Sequence, residues 1–574
     1  MASYDVRVTF DAPATMRDGV VLRANIFRPD DEQAQFPVLL TRTPYGKDIA
    51  SGHALDPVQA ARGGYIVVVQ DVRGAFASEG EWFPAIHEAD DGEDTVNWVA
   101  NLPGSNGRVG MFGGSYVGFT QMAVAQRRVD ALRAIAPMIT WDTAESGVLT
   151  RGGVPELGLT ANWTLLRGFD QLIRRHRGDR RVLGEAMYRL AGELDRLTGG
   201  GYAELPLGSY GPLDRLDLLD PFAAGIKEPA NADYVERFRV TDAYHGRELP
   251  ALHIGGWYDV FLRGTIRNFL GMRADHPESQ YLLIGPWTHG NFNHVQGERD
   301  FGVASWGGLL DLRTDLMAYQ LQFFDRWLKG KSDAFEGVAP VRYFVMGANV
   351  WRDTDSWPPA GATVEQWYLH SADGARRLSR QTPGDEAPDH YIYDPEHPAP
   401  TVGGATLLHA SLRPGPWDQS AIEQRADVLA FTSEPLAEAL EVTGDVHVDL
   451  YVSTDAPDTD FVARLVDVFP DGRALAITDG IIRMRERDGT GVSLETLRAG
   501  GVYHVSIDLW STSIVIAPGH QLRVDISSSS FPRWERNLNT GEPSASATVM
   551  RPARQTLYHD AEHPSSISLP VMAR

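Results

Sequence analysis

The sequence of 574 residues contains no cysteine. A thiolate nucleophile, a disulfide bond and a zinc site with cysteine ligands are therefore excluded. The first residues also lack the basic segment followed by an apolar segment that is typical of a secretory signal. We therefore expect a cytoplasmic protein, and the absence of cysteine is consistent with that location.

Basic residues and long apolar runs are also scarce. The chain has 53 Lys and Arg against 76 Asp and Glu, which gives a formal net charge of -23. Nucleic acids and anionic membranes attract basic surfaces, so we expect neither as a partner. No apolar run approaches the roughly 20 residues that a membrane-spanning helix requires. We expect no metal or other cofactor, and the sequence does not decide between a monomer and a homodimer.

The composition is that of a globular protein, with 43% hydrophobic and 22% charged residues. The length predicts two or three domains rather than one core. In the first third, short apolar runs predict buried strands, and the segments between them have helical character. The predicted strands are 38–40, 65–69, 109–112 and 132–136, and the predicted helices are 56–62, 89–101 and 116–127. Such repeated units predict a parallel sheet covered by helices on both faces.

The pattern changes twice further along the chain. Residues 142–240 lose the strand signal, and segments 162–176 and 181–197 have apolar residues at helical spacing. The sheet pattern resumes at 252–254 and 281–284 and is followed by a predicted helix over 309–329. After residue 351, short alternating strands such as 446–452 and 521–526 are typical of an antiparallel sandwich. The predicted units are therefore an α/β core in two parts, 1–141 and 241–350, a helical insertion at 142–240, and a β-domain at 351–574.

The strongest local signal for chemistry is the turn at residues 113–118, which has the sequence GGSYVG. It lies between a predicted buried strand and a predicted helix, where a sharp turn projects the hydroxyl of Ser115 above the sheet edge. The motif departs from the usual G-x-S-x-G, because Val117 stands at the last glycine position and Gly118 follows it. The alternative interpretation is a serine that only caps the helix.

Two further polar residues follow later strands in the order that a hydrolase of this class requires. Asp259 comes directly after one predicted strand, and His289 comes after the next. A serine hydroxyl needs a neighbouring base, which an imidazole supplies, and a buried carboxylate holds that imidazole in the right tautomer. The sequence therefore predicts Ser115 as nucleophile, His289 as base and Asp259 as orienting acid. The alternatives are that Asp259 caps a helix and that His289 is an ordinary loop histidine.

With these residues in place, the chain resembles the cocaine esterase / X-Pro dipeptidyl-peptidase family of α/β-hydrolases. The matching motifs occur in the same order along nearly the whole chain. They are residues 16–20, 42–45, 70–74, 78–80, 113–118, 255–259, 285–290, 465–474 and 527–541. The resemblance implies an α/β-hydrolase core, a helical cap and a C-terminal jelly roll, which correspond to the three sections above.

The resemblance also implies roles that the motif spacing does not reveal. It implies that the hydroxyl of Tyr45 and the backbone N–H of Tyr116 stabilise the oxyanion. It further implies an apolar acyl pocket with contributions from Trp163, Phe261, and the pair Leu407 and Leu408. The alternatives are that Tyr45 packs as a buried ring with a satisfied hydroxyl and that the pocket aromatics are ordinary core residues.

The expected activity is hydrolysis of carboxylic esters with apolar or aromatic acyl groups, through an acyl-enzyme. An X-Pro dipeptidyl-peptidase or an amino acid ester or amide hydrolase of the same family is the second interpretation. Such enzymes bind a substrate ammonium group with carboxylates, whereas Val260, Phe261 and Leu262 follow Asp259 here. A non-catalytic jelly-roll binding protein is a remote alternative, because a pseudo-enzyme should have lost part of its site.

Overall fold

The structure is a computed structural model that describes residues 3–49, 55–226, 232–246, 248–372, 374–488 and 497–573. Two large sheets dominate it, with a helical segment inserted into the first. Within the described ranges, no helix is both long enough and apolar enough to cross a membrane.

The first sheet has ten strands in the described part of the chain. In spatial order they are Val6–Thr15, Val21–Pro29, Ile66–Asp71, Phe36–Thr43, Ser105–Gly114, Leu132–Met138, Ala251–Tyr258, Gln280–Thr288, Val341–Val345 and Val350–Thr354. Seven consecutive strands, from Ile66–Asp71 to Val341–Val345, pair in parallel, as the sequence predicts. The first two strands and the last one pair antiparallel, a feature that the sequence pattern did not indicate.

Helices cover both faces of this sheet. The helices of the core are Pro57–Arg62, Glu88–Ala100, Tyr116–Ala125, Leu262–Asp275 and Leu316–Lys329. Alternate residues of one strand belong to different apolar clusters: Val38 and Leu40 lie in one cluster, and Leu39 lies in the other. This alternation is what a strand buried on both faces requires, so the α/β-hydrolase core is confirmed.

One predicted core helix is shorter than expected. The sequence predicts a helix over 309–329, but the observed helix is Leu316–Lys329. Asp311 and Leu312 both have positive φ angles, of 49° and 58°, which a right-handed helix does not accept. Asp315 then caps the helix by accepting a hydrogen bond from the backbone N–H of Ala318.

The inserted segment lies between the strands Leu132–Met138 and Ala251–Tyr258 and is mainly helical. Its helices are Leu157–His176, Arg180–Arg196, Gly211–Asp214, Asp220–Ile226 and Ala232–Glu236, with 3-10 turns at Gly201–Ala203, Leu207–Ser209 and Thr241–His245. The prediction that strands are absent here was wrong in one place, because Thr150–Arg151 pairs with Val154–Pro155. Two-residue strands around the Gly152-Gly153 turn are too short to produce a periodic pattern.

The C-terminal part of the chain forms the second sheet. Its strands are Ala362–Ala372, Ala375–Ser379, Asp389–Tyr393, Leu429–Thr432, Leu440–Thr454, Asp460–Val468, Ala474–Arg483, Tyr503–Ile516, Gln521–Ser527, Ala553–Tyr558 and Ser566–Met572. They pair antiparallel apart from one parallel bridge between Arg377 and Thr432. The β-rich C-terminal domain is therefore as expected, while its jelly-roll topology and the domain boundaries stay predictions.

Candidate active site

Ser115 occupies the sharp turn that the sequence predicts between a strand and a helix. The strand Ser105–Gly114 ends directly before it, and the helix Tyr116–Ala125 begins directly after it. Its φ of 61° and ψ of -130° lie in a region that non-glycine residues rarely occupy. The side chain makes no capping hydrogen bond to the helix, so the capping alternative does not describe this residue.

The shifted glycine of the motif has a packing reason. A β-carbon on Gly118 would lie 2.8 Å from Cβ of Thr140 and 2.9 Å from the carbonyl oxygen of Met138. A side chain at this position would therefore push the helix away from the neighbouring strand.

Ser115, His289 and Asp259 form a continuous chain of hydrogen bonds. The Nε2 atom of His289 lies 3.0 Å from Oγ of Ser115, and its Nδ1 atom lies 2.6 Å from Oδ1 of Asp259. The three residues follow three strands of the parallel part of the sheet, whose carboxyl ends meet at one edge. Their order and connectivity match the requirements of a nucleophile, a base and an orienting acid.

Asp259 is fully buried, and each carboxylate oxygen has a defined partner. Oδ1 faces His289, whereas Oδ2 accepts a hydrogen bond of 3.1 Å from the backbone N–H of Phe261. Phe261, not Asp259, occupies the N-cap position of the helix Leu262–Asp275. The backbone contact therefore fixes the carboxylate rotamer and leaves one oxygen for the histidine.

The loop after His289 is braced by Gln296, a residue that sequence reasoning missed. Gln296 is 1% exposed, and its amide nitrogen donates to the carbonyl oxygens of Asn291 and Asn293 at 3.0 and 2.7 Å. Its amide oxygen accepts a hydrogen bond from the hydroxyl of Thr288 at 3.0 Å. A buried glutamine with these partners holds the histidine loop in place, and nothing in the sequence pattern distinguishes it from a surface glutamine.

Tyr45 and Tyr116 both lie beside Ser115, but they present different groups. The phenol oxygen of Tyr45 accepts a hydrogen bond of 3.3 Å from the indole Nε1 of Trp163 and also contacts the Ser115 side chain. Burial raises the pKa of Tyr45, so its hydroxyl keeps its proton at neutral pH. The hydroxyl of Tyr116 points elsewhere, donating to Glu88 at 2.9 Å and accepting from the backbone N–H of Ala85.

The backbone N–H of Tyr116 is the group of this residue that adjoins Ser115. Tyr116 is the first residue of its helix, and the first N–H groups of a helix have no partner within that helix. They also lie at the positive end of the helix dipole. This N–H and the Tyr45 hydroxyl are the two groups beside Ser115 that could donate to an oxyanion, and that role stays a prediction.

Two cavities meet at Ser115. The first lies between the core and the helical insertion, and the second extends on the side of His289. Tyr45, Ser115 and Leu407 line both of them. A carbonyl carbon held at Ser115 could thus place its acyl group in one cavity and its alcohol group in the other.

Of the predicted pocket residues, Trp163 and Phe261 line the first cavity and Leu407 lines both. Leu408 lines neither of these two cavities and instead packs near Gly158 of the insertion, where a β-carbon would lie 2.3 Å from its Cδ2 atom. Sequence reasoning missed much of the first cavity, whose walls also include Trp141, Leu159, Tyr234 and Phe238. Those residues come from separate elements of the insertion, so only the tertiary fold brings them together.

No group of three or more histidine, aspartate or glutamate side chains with the geometry of a metal site occurs among the described residues. The lining of the two cavities is mostly apolar, with aromatic rings in the first and aliphatic side chains in the second. Such surfaces recognise an apolar substrate rather than a charged one.

Comparisons with known proteins agree with this architecture. Residues 18–291 match the X-Pro dipeptidyl-peptidase (S15 family) and residues 333–568 match the X-Pro dipeptidyl-peptidase C-terminal non-catalytic domain. The chain is 38% identical to cocaine esterase from Rhodococcus sp. (strain MB1 Bresler) over 589 aligned positions, which cover 100% of both chains.

Solved structures extend the likeness to the whole fold. An α-amino acid ester hydrolase superposes with a TM-score of 0.79 at 25% identity, covering 99% of this chain and 97% of that one. An aminopeptidase from a marine sediment archaeon, Thaumarchaeota archaeon, superposes with a TM-score of 0.81 at 24% identity, with the same coverage.

Proposed function

The chain belongs to the X-Pro dipeptidyl-peptidase (S15) family, and from that premise we propose that it is a serine hydrolase that cleaves carboxylic esters with Ser115, His289 and Asp259 as its catalytic triad. The observation that carries the proposal is the continuous hydrogen-bond chain from Oγ of Ser115 to the buried carboxylate of Asp259. The full-length similarity to cocaine esterase supports an ester as the bond that is cleaved.

In the first half of the reaction, Oγ of Ser115 attacks the ester carbonyl carbon while its proton moves to Nε2 of His289. Asp259 stabilises the imidazolium that forms, because its Oδ1 atom accepts the Nδ1 hydrogen bond. The carbonyl oxygen becomes an oxyanion that accepts hydrogen bonds from the Tyr116 N–H and the Tyr45 hydroxyl. When the tetrahedral intermediate collapses, the alcohol leaves with the proton from His289, and the acyl group stays on Ser115.

The second half repeats these steps with water. His289 takes a proton from a water molecule, which attacks the acyl carbon, and the same two donors stabilise the second oxyanion. Collapse releases the carboxylic acid and returns the proton from Nε2 to Oγ of Ser115. No step needs a group from outside the protein other than water.

We infer an uncharged, apolar or aromatic acyl group from the walls of the first cavity. Trp141, Trp163 and Phe261 are among the residues that line the first cavity. Among the described residues, neither cavity is lined by an aspartate or a glutamate. A substrate ammonium group would therefore lose its hydration without gaining a carboxylate partner there. This argues for esters ahead of the dipeptides and amino acid esters that related enzymes take.

The proposal is tested with a substrate panel. We expect hydrolysis of p-nitrophenyl acetate and p-nitrophenyl benzoate, and little or no release of p-nitroaniline from Gly-Pro or amino acid anilides. Ser115→Ala, assayed in parallel, excludes hydrolysis by a contaminant. Faster turnover of the anilides than of the esters would favour the peptidase alternative. A cytoplasmic location belongs to the same proposal.

A further inference from the structure

One face of the first helix of the insertion, Leu157–His176, lies against the turn that carries Tyr45. Trp163, Arg167 and Asp170 are spaced four and three residues apart on this helix, so their side chains project from the same face. Each of the three makes a contact that leads to Tyr45. The helix therefore contacts Tyr45 and its surroundings in addition to lining the first cavity.

Trp163 contacts the hydroxyl of Tyr45 directly. Its indole Nε1 lies 3.3 Å from the phenol oxygen, and an indole N–H can only donate. The phenol oxygen must then accept, which leaves the phenol proton free to point at another oxygen. The Ser115 side chain is a second hydrogen-bond partner of the same hydroxyl. A hydroxyl that already accepts one hydrogen bond is also a stronger donor in the next.

Arg167 contacts the ring of the same tyrosine. Its guanidinium carbon lies 5.9 Å from the centre of the Tyr45 ring, and also 5.5 and 5.4 Å from the rings of Phe76 and Trp82. The residue is 6% exposed, so water screens its charge weakly. Its positive charge opposes the rise in the pKa of Tyr45 that burial causes, which makes the phenol a better hydrogen-bond donor.

Asp170 supports the backbone on which Tyr45 stands. Its Oδ2 atom accepts a hydrogen bond of 2.9 Å from the backbone N–H of Phe76 and pairs with Arg167 at 3.4 Å. The ring of Phe76 lies beside Gly46, where a β-carbon would come within 3.0 Å of it. Gly46 has a φ of 99° and follows Tyr45 directly. The contact between the Phe76 ring and Gly46 therefore fixes the backbone turn that carries Tyr45.

We propose that Trp163 and Arg167 are positioning residues that hold the hydroxyl of Tyr45 toward the oxyanion. The insertion helix Leu157–His176, which carries both residues, then takes part in stabilising the transition state. This inference rests on the proposed function, because it assumes that Tyr45 donates to the oxyanion. It gives Trp163 a role beyond that of a pocket wall. A wall residue acts on substrate binding, whereas a residue that acts through Tyr45 changes turnover only while the Tyr45 hydroxyl is present.

The test is a double-mutant cycle on the full-length protein with p-nitrophenyl acetate. The acetyl group of this substrate is too small to contact most of the aromatic residues that line the first cavity. Trp163→Phe keeps a ring and removes the indole N–H. We expect it to lower kcat about 3- to 10-fold, the effect of one hydrogen bond, with KM changed less. In the Tyr45→Phe background the same substitution should change kcat by less than about 1.5-fold, because its acceptor is gone.

Trp141→Phe is the matched control, since Trp141 lines the same cavity and its indole nitrogen has no hydrogen-bond partner among the described residues. Its effect on kcat should be the same factor with and without the Tyr45 hydroxyl. If Trp163→Phe lowers the melting temperature, Arg167→Gln replaces it in the double-mutant cycle. We expect Arg167→Gln to lower kcat in the parent and to leave kcat nearly unchanged in the Tyr45→Phe background.

Equal factors for Trp163→Phe and for Arg167→Gln in both backgrounds would overturn the inference, even if Tyr45→Phe itself is strongly impaired. A Tyr45→Phe variant with parental kcat would overturn both the inference and the role of Tyr45 as a donor. Failure of the ester hydrolase proposal as a whole is recognised separately, because the parent protein would then turn over the anilides faster than the p-nitrophenyl esters, or Ser115→Ala would hydrolyse the esters as fast as the parent.

Discussion

The Nε2 atom of His289 lies 3.0 Å from Oγ of Ser115, although 174 positions separate the two residues in the chain. We predict that Ser115→Ala lowers kcat for p-nitrophenyl acetate by more than about 10⁴-fold, because the nucleophile and the base act as a unit. Ser105→Ala, at the opposite end of the same strand, is the control and should keep parental turnover. Turnover by Ser115→Ala within about tenfold of the parent contradicts its assignment as nucleophile.

Asp259→Asn tests the orienting carboxylate. The asparagine side chain has nearly the same shape, but its amide group no longer offers a carboxylate to the Nδ1 hydrogen of His289. We expect kcat to fall by about 10⁴-fold with little change in the melting temperature, as for a triad that loses the correct histidine tautomer. The control is Asp275→Asn at the end of the next helix, which should be silent. A loss of less than about tenfold in a folded Asp259→Asn variant would place the orienting acid elsewhere.

Tyr45→Phe tests the side-chain donor of the oxyanion hole. The substitution removes one oxygen and keeps the ring, so packing is largely preserved. We expect kcat to fall by about 10²- to 10³-fold, the usual cost of losing one oxyanion donor, while KM rises much less. Kinetics and melting temperature are measured on the same preparation. A less stable variant with parental kcat would identify Tyr45 as a packing residue instead.

The positions of the proposed triad residues could be predicted from sequence because each residue follows a recognisable strand. The parallel order of those strands then forces their carboxyl ends to one edge, so Ser115, Asp259 and His289 had to meet. The turn around Ser115 was also visible, since its glycines allow the close approach that the turn needs. Each of these sequence signals is local, and the parallel sheet then brings the three residues close together in space.

The rest of the site depends on contacts that leave no periodic pattern. The first cavity is assembled from the core, the insertion and Leu407 of the C-terminal domain, which lie far apart in the sequence. Gln296 and Arg167 are buried polar residues, and their burial follows from tertiary contacts rather than from a local pattern. Leu408 was predicted to line the pocket together with Leu407, but its side chain packs near Gly158 of the insertion instead.

The buried Asp525 in the C-terminal sheet leads us to predict that the free energy of unfolding depends on pH. Burial, together with the charge of Glu423, raises its pKa from an ordinary value of 3.8 to about 7, although Arg464 and Arg523 oppose the shift. Neither carboxylate oxygen has a hydrogen-bond partner in the described structure. Between about pH 4 and pH 7 the folded protein retains a proton that the unfolded chain has released, so the free energy of unfolding falls as pH rises through this window.

Asp525→Asn removes this titration and leaves a neutral side chain of similar size. We expect the melting temperature of the variant to exceed that of the parent by several degrees at pH 8, with the difference shrinking steadily toward pH 4. Asp471→Asn, on an exposed turn of the same domain, provides the control for loss of one negative charge. A difference that stays constant across this pH range would mean that Asp525 does not titrate there.

The covalent intermediate on Ser115 is the most direct test of the central claim. The protein is mixed with p-nitrophenyl benzoate, quenched in acid within the first turnover, digested and analysed by mass spectrometry. We predict a benzoyl group on the peptide that contains Ser115, formed in step with a burst of p-nitrophenol and missing from Ser115→Ala. Ester hydrolysis that proceeds with no adduct on that peptide under single-turnover conditions, or with an adduct on another residue, would contradict the proposed mechanism.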